Sequence, residues 1–132
     1  MQRLRLCAVC SLVIALSGCK GKPEETFTEV KNGAFKVVIR SQEFHHSSIR
    51  NIDICVENSS NSGFANKRDQ CFLHGFDFDG LTVKWQGPQV IEVAFRSGRV
   101  SYFTNSAVAY PGGPVPVEFQ ILLCDGREAD SR

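Results

Sequence analysis

Alternating apolar and polar residues dominate the chain from residue 27 to residue 124. In residues 49–56 this alternation places Ile52, Ile54 and Val56 on one face, and in residues 117–124 it groups Phe119 with Ile121. A period of two residues is typical of half-buried strands. Because no segment after residue 18 keeps the spacing of an amphipathic helix, the pattern predicts an all-β domain.

The alternation predicts about seven strands: residues 35–40, 49–56, 71–78, 81–85, 89–95, 100–105 and 117–124. In residues 71–78 we expect Phe72, His74, Phe76 and Phe78 to share one face. Turn residues near positions 87 and 98 predict that the fourth to sixth strands form a consecutive antiparallel meander. Residues 57–63 are polar and predict an exposed loop. The expected fold is a small antiparallel β-sandwich or a partly open barrel.

The first 18 residues have a different composition. Arg3 and Arg5 precede an apolar run of 11 residues, 6–16, which is too short to span a bilayer and is typical of a secretory signal. The run ends in Leu16-Ser17-Gly18-Cys19, which resembles the lipobox of bacterial lipoprotein precursors. This resemblance implies cleavage between Gly18 and Cys19 and attachment of acyl chains, such as palmitate, to Cys19 as a stable membrane anchor.

The same resemblance divides the chain into three parts: a cleaved signal peptide (1–18), a lipidated tether (19–26) and a single β domain (27–132). Lys20 follows the lipidated cysteine, whereas aspartate at this position commonly retains Gram-negative lipoproteins at the inner membrane. The resemblance therefore implies an outer-membrane anchor with the domain facing the periplasm. Cleavage leaves 13 basic against 14 acidic residues, without the basic excess of a nucleic-acid-binding protein.

Three cysteines remain in the mature domain, because two lie in the signal peptide and Cys19 would be lipidated. In an oxidising compartment, Cys55, Cys71 and Cys124 predict one disulfide and one leftover thiol. We favour Cys55–Cys71, which would close a loop of about 15 residues between adjacent strands and stabilise the fold by about 3 kcal/mol. In the alternative, Cys124 pairs with one of the other two and joins the last strand to the sheet.

Candidate metal ligands are few. His45 and His46 are neighbours that would point to opposite faces of a strand. A site that combined them with His74 or Asp77 would not have the ligand spacing of a known metal motif. Asp77 and Asp79 are two residues apart and would share a strand face, a pattern that can bind calcium or serve acid–base chemistry. However, Asp79 is followed by glycine, which is a strong turn signal. We expect no metal or cofactor.

Catalytic motifs are also missing from the sequence. Cys124 is followed by Asp125, an acid that would raise the thiol pKa instead of activating it, and there is neither a nucleophile elbow nor a phosphate-binding loop. We therefore expect no enzyme activity. Phe64, Tyr102 and Tyr110 lie near predicted loops, where they would serve either as exposed recognition anchors or as caps on the ends of the sandwich.

The segment 85–100 is similar in pattern to hairpins of small β-rich bacterial lipoproteins, some of which neutralise toxins or hydrolases in the periplasm. This similarity implies a membrane-anchored protein-binding module of the inhibitor or immunity type. Two alternatives stay open: a structural or assembly accessory of an envelope complex, and an enzyme or small-ligand carrier with a concave apolar pocket. The expected partners are the membrane, through Cys19, and a protein, but no nucleic acid.

Overall fold

The computed structural model describes residues 24–44, 48–60, 70–112 and 115–125, which contain strands and no helix. The strands are β1 (Glu24–Asn32), β2 (Phe35–Glu43), β3 (Arg50–Asn58), β4 (Cys71–Asp79), β5 (Thr82–Gly87), β6 (Val90–Phe95), β7 (Ser97–Phe103), β8 (Ser106–Ala109) and β9 (Val117–Asp125). They form a five-stranded sheet, β1-β2-β3-β4-β7, and a four-stranded sheet, β5-β6-β9-β8. The all-β prediction is confirmed, and the two sheets form a sandwich and not a closed barrel.

The core lies between the two sheets and follows the predicted alternation. Ile54 and Val56 of β3 and Val93 of β6 are fully buried, as is Phe119 of β9. The ring of Phe119 contacts that of Trp85 edge-on, with 5.7 Å between the centroids, which joins β9 to β5. Burial of one such side chain stabilises the fold by about 1.5–3 kcal/mol.

Regular pairing in the five-stranded sheet begins earlier than the predicted domain boundary at residue 27. Glu24 lies opposite Glu43 and Thr26 opposite Ser41, and the register continues without a shift to the end of β1. Residues 24–26 therefore belong to β1 and not to the tether. Strand β1 is missing from the predicted seven because only two of its nine residues, Phe27 and Val30, are apolar.

Strand β4 does not keep a single alternation, which corrects the predicted shared face of its aromatic residues. Phe72 is buried, whereas His74 lies opposite Asp53 on the outer face. The register shifts between Cys55 and Ile54 of β3 and again between Phe76 and Asp79 of β4. Such bulges reverse the faces of the residues that follow, so that Phe78 packs against the core.

The predicted three-strand meander is wrong in its last strand. Strands β5 and β6 form the expected antiparallel hairpin, but β7 pairs with β4 in the other sheet. Only Arg96 separates β6 from β7, which is too short for a hairpin turn, and the chain crosses at a corner of the sandwich. The unpredicted strand β8 returns to the four-stranded sheet, where β9 pairs with β8 antiparallel and with β6 parallel.

Candidate binding face on the five-stranded sheet

A single line of cross-strand neighbours runs from one edge of the five-stranded sheet to the other. The register places Phe27 beside Arg40, Arg40 beside Asp53, Asp53 beside His74 and His74 beside Tyr102. We name these five residues the transverse row. They lie on the outer face because Ile52 and Ile54, on either side of Asp53, point into the core.

Charged and polar side chains form the middle of the transverse row. Arg40 donates two hydrogen bonds to Oδ2 of Asp53, from Nη2 at 2.6 Å and from Nε at 3.1 Å. The other carboxylate oxygen, Oδ1, lies 2.5 Å from Nδ1 of His74. Because the carboxylate only accepts, Nδ1 is the donor of this pair. Asp53 therefore holds both neighbouring side chains in defined orientations.

Aromatic rings flank this charged centre. Phe27 and Tyr102, at the two ends of the row, each have 49% of their surface exposed. Phe76, also on β4, packs edge-on against the imidazole of His74, with 5.2 Å between the centroids. Ser101 donates its hydroxyl to the main-chain carbonyl of His74 at 3.1 Å. The outer face thus combines a fixed Arg–Asp–His group with half-exposed rings on either side.

A second charged cluster lies on the same face, toward the other end of the strands. Nζ of Lys36 is 2.8 Å from Oε1 of Glu29 and 3.6 Å from Oε1 of Glu57. The hydrogen bond with Glu29 raises the pKa of Lys36, and the same bond lowers the pKa of Glu29. Glu57 is only 1% exposed, which corrects its assignment to an exposed loop. Strand β3 extends to Asn58 and places Glu57 opposite Lys36.

The structure contains the Cys55–Cys71 disulfide that the sequence favoured, between adjacent strands β3 and β4, with an S–S distance of 2.00 Å. This pairing replaces the alternative in which Cys124 joins either partner. Cys124 lies exposed on β9 of the other sheet, where its thiol donates to Oε1 of Glu92 at 3.3 Å. The thiol is therefore remote in the fold from the transverse row.

The two candidate acids of β4 do not converge on a common site. Asp77, with a φ of 53°, accepts a hydrogen bond from the main-chain N–H of Arg50 at 2.9 Å. Asp79 forms an ion pair with Arg96 at 3.3 Å, and Gly80 adopts a φ of 69° at the connection to β5. Within the described ranges no three His, Cys, Asp or Glu side chains are placed to hold a metal ion.

Several predicted residues lie outside the described residues: Gly18 and Cys19 of the lipobox, the pair His45 and His46, and Phe64. Tyr110, the remaining predicted aromatic anchor, is half-buried, and its carbonyl accepts a hydrogen bond from Nδ2 of Asn58.

Two clefts are open to solvent and lie away from the transverse row. One, of about 550 Å³, is bordered by Gln89, Asn105 and Gln120, where β6, β8 and β9 meet. The other, of about 420 Å³, lies beside Asn32 and Trp85. Both have mixed polar and apolar linings, unlike the mostly apolar, enclosed sites typical of small-molecule binding.

No protein-family model, curated protein or solved structure matches the chain. In the part of the chain that the structure describes, there is no helix of the length and apolar character needed to cross a membrane.

Proposed function

We propose that this chain is a membrane-anchored periplasmic lipoprotein, lipidated on Cys19, that serves as a protein-binding module of the inhibitor or immunity type. Its partner binds the outer face of the five-stranded sheet. The observation that carries this proposal is the transverse row, in which one cross-strand register brings Phe27, Arg40, Asp53, His74 and Tyr102 together.

The residue types of the row are those that contribute most to protein–protein binding. Aromatic residues and arginine are enriched in the central, well-packed parts of interfaces. Asp53 already fixes Arg40 and His74 in the free protein, so that less side-chain entropy is lost when a partner binds. A row of this kind on paired strands favours recognition of a surface over enclosure of a small ligand.

The rest of the domain suits a role outside the cytoplasm. The Cys55–Cys71 disulfide connects the adjacent strands β3 and β4, which carry Asp53 and His74, and disulfides persist in oxidising compartments such as the periplasm. Acyl chains on Cys19 would keep the binding face close to the membrane, because β1 begins only five residues later.

The proposal is tested by incorporating a photo-crosslinking amino acid at position 102 of the full chain in cells. The matched control carries it at position 122, because Leu122 is exposed on the other sheet. We expect one discrete protein adduct from position 102 and none from position 122. With the identified partner, Tyr102→Ala should weaken binding about tenfold or more and Leu122→Ala less than about threefold.

Identical adducts from both positions, or none from position 102, would contradict a binding face centred on the row. The identity of the partner separates the two protein-binding hypotheses. A toxin or hydrolase supports the inhibitor type, whereas a component of an envelope assembly would replace it with the accessory role.

A further inference from the structure

Strand β1 is an outermost strand of the five-stranded sheet and pairs with β2 on one side. It is nine residues long, contains no proline, and pairs without a register shift. Natural proteins usually shorten, bend or cover such an edge because its main-chain groups can pair with another strand. Residues 24–29 are all exposed, so this part of the edge is open to a second chain.

The direction of the main-chain groups along β1 follows from the register. Asn32 and Phe35 flank the two-residue turn at Gly33 and Ala34 and form a hydrogen-bonded pair, so Asn32 points its main-chain groups toward β2. On the other side of β2, the carbonyl oxygen of Ala34 accepts a hydrogen bond from the N–H of Ser59. In an antiparallel pair each residue directs its N–H and C=O to the same side, and the sides alternate. Because the register continues without a shift, Glu24, Thr26 and Thr28 also point theirs to β2, whereas Glu25, Phe27 and Glu29 point theirs to the open edge.

We propose that this edge binds an extended segment of the partner protein by strand addition, with basic residues on either side of an apolar one. The inference rests on the proposed function, since it specifies how a protein partner binds. An added strand would place alternate side chains beside Glu25, Phe27 and Glu29 on the outer face. Basic side chains suit the two glutamates, and an apolar side chain suits the half-exposed ring of Phe27.

The arrangement of charges disfavours a second copy of this chain as the occupant. If two copies of β1 paired symmetrically and antiparallel over residues 25–29, the pairing would be centred on Phe27. Glu25 of each copy would then lie opposite Glu29 of the other copy. Like charges directly opposite each other destabilise a strand pair. Three of the nine residues of β1 are glutamates and one is a lysine, so a basic strand from another protein is the complementary partner.

The test uses the full chain in detergent, titrated with two capped heptapeptides, TKTFTKT and TETFTET, and followed by NMR. We expect the basic peptide to bind at least about tenfold more tightly than the acidic one. Its binding should slow amide exchange at Glu25, Phe27 and Glu29, the residues whose main-chain groups face the open edge. Equal affinities, protection elsewhere, or self-association in place of peptide binding would overturn the proposal.

Two variants sharpen the test. Glu25→Pro removes an N–H at the open edge without removing a β1–β2 hydrogen bond. It should weaken binding of the basic peptide about tenfold or more relative to Glu25→Val, which lacks the same carboxylate but keeps that N–H. Glu25→Lys should reduce the preference for the basic peptide over the acidic one. This variant tests strand addition if the proline variant does not fold. Position-102 crosslinking is an independent readout: an adduct there without peptide protection of β1 overturns strand addition but leaves the proposed function intact.

Discussion

Asp53 and His74 are direct neighbours across β3 and β4, and the carboxylate Oδ1 of Asp53 lies 2.5 Å from Nδ1 of His74. The other oxygen of the same carboxylate accepts both hydrogen bonds from Arg40. One acidic side chain thus satisfies two basic ones on successive strands. The side chain of Asp53 is only 16% exposed. If its carboxylate were removed, water would therefore be a poor substitute as the hydrogen-bond partner of Arg40 and His74.

Asp53→Asn should lower the free energy of unfolding by about 1–3 kcal/mol, because it leaves the guanidinium of Arg40 without its counterion. Urea denaturation at pH 7 measures this loss. The matched control is Asp79→Asn, since Asp79 also pairs with an arginine but both side chains are mostly exposed, at 67% and 73%. That variant should lose less than about 1 kcal/mol. Equal losses in the two variants would show that the Asp53 group contributes no more than a surface ion pair.

The sequence was sufficient to place four of the five members of the transverse row on strands, all except Phe27, but not to bring them together. Alternation with Ile52 and Ile54 assigns Asp53 to the outer face. Its neighbours, however, depend on how β2 and β4 are aligned with β3, and this register depends on bulges and connection lengths. For His74 the alternation was misleading, because the register shift in β4 separates its face from that of Phe72.

The crossing between β6 and β7 escaped prediction for a related reason. Glycine near position 98 indicates a bend, but a hairpin turn and a sandwich corner have similar composition. In the structure Gly98 has a φ of 147°, and a Cβ there would lie 2.5 Å from the ring of Phe78. Close packing between sequence-distant residues therefore selects the corner, and local patterns do not contain this information.

Gly75→Ala should be strongly destabilising. A Cβ at Gly75 would lie 2.3 Å from the carbonyl oxygen of Arg99 and 2.5 Å from the ring of Phe78. Relief of this overlap requires β4 and β7 to separate, which we expect to lower the free energy of unfolding by about 3 kcal/mol. Gly87→Ala is the matched control, because a Cβ there has no neighbour within 4 Å, and its urea midpoint should be nearly unchanged. A Gly75→Ala protein as stable as the Gly87→Ala protein would contradict the close packing.

The ion pair of Glu29 with Lys36 predicts a pH window of stability. The pKa of Glu29 is lowered from 4.5, so its contribution is present above pH 4.5 and is lost as the pH falls through the depressed value. The pKa of Lys36 is raised from 10.5, so its contribution is present below pH 10.5 and is lost as the pH rises through the raised value. The difference in urea midpoint between wild type and Glu29→Gln should therefore be constant between these limits and shrink outside them. A difference that stays constant down to pH 2 would contradict this assignment.

Loss of the disulfide should destabilise the domain without changing its fold. Cys55 and Cys71 are 16 residues apart in the sequence. Replacing both by alanine removes the covalent closure of this loop and should lower the free energy of unfolding by about 3 kcal/mol. Peptide mapping without reduction should recover a Cys55–Cys71 crosslinked peptide. Cys124→Ala is the control and should leave that peptide and the urea midpoint unchanged. A crosslinked peptide containing Cys124 would contradict the pairing.

Lipidation of Cys19 is tested by labelling cells with a clickable fatty acid. The wild-type chain should carry the label and have Cys19 as its first residue, whereas Cys19→Ser should be unlabelled and leave the membrane fraction or remain uncleaved. In a Gram-negative host, density-gradient fractionation should place the wild type in the outer membrane. Lys20→Asp should move the protein to the inner membrane, and Lys20→Ser should not, because only aspartate at this position supplies the retention signal that the lipobox resemblance implies. Labelling that persists in Cys19→Ser would contradict the anchor, since that cysteine supplies the only thiol at the predicted cleavage site.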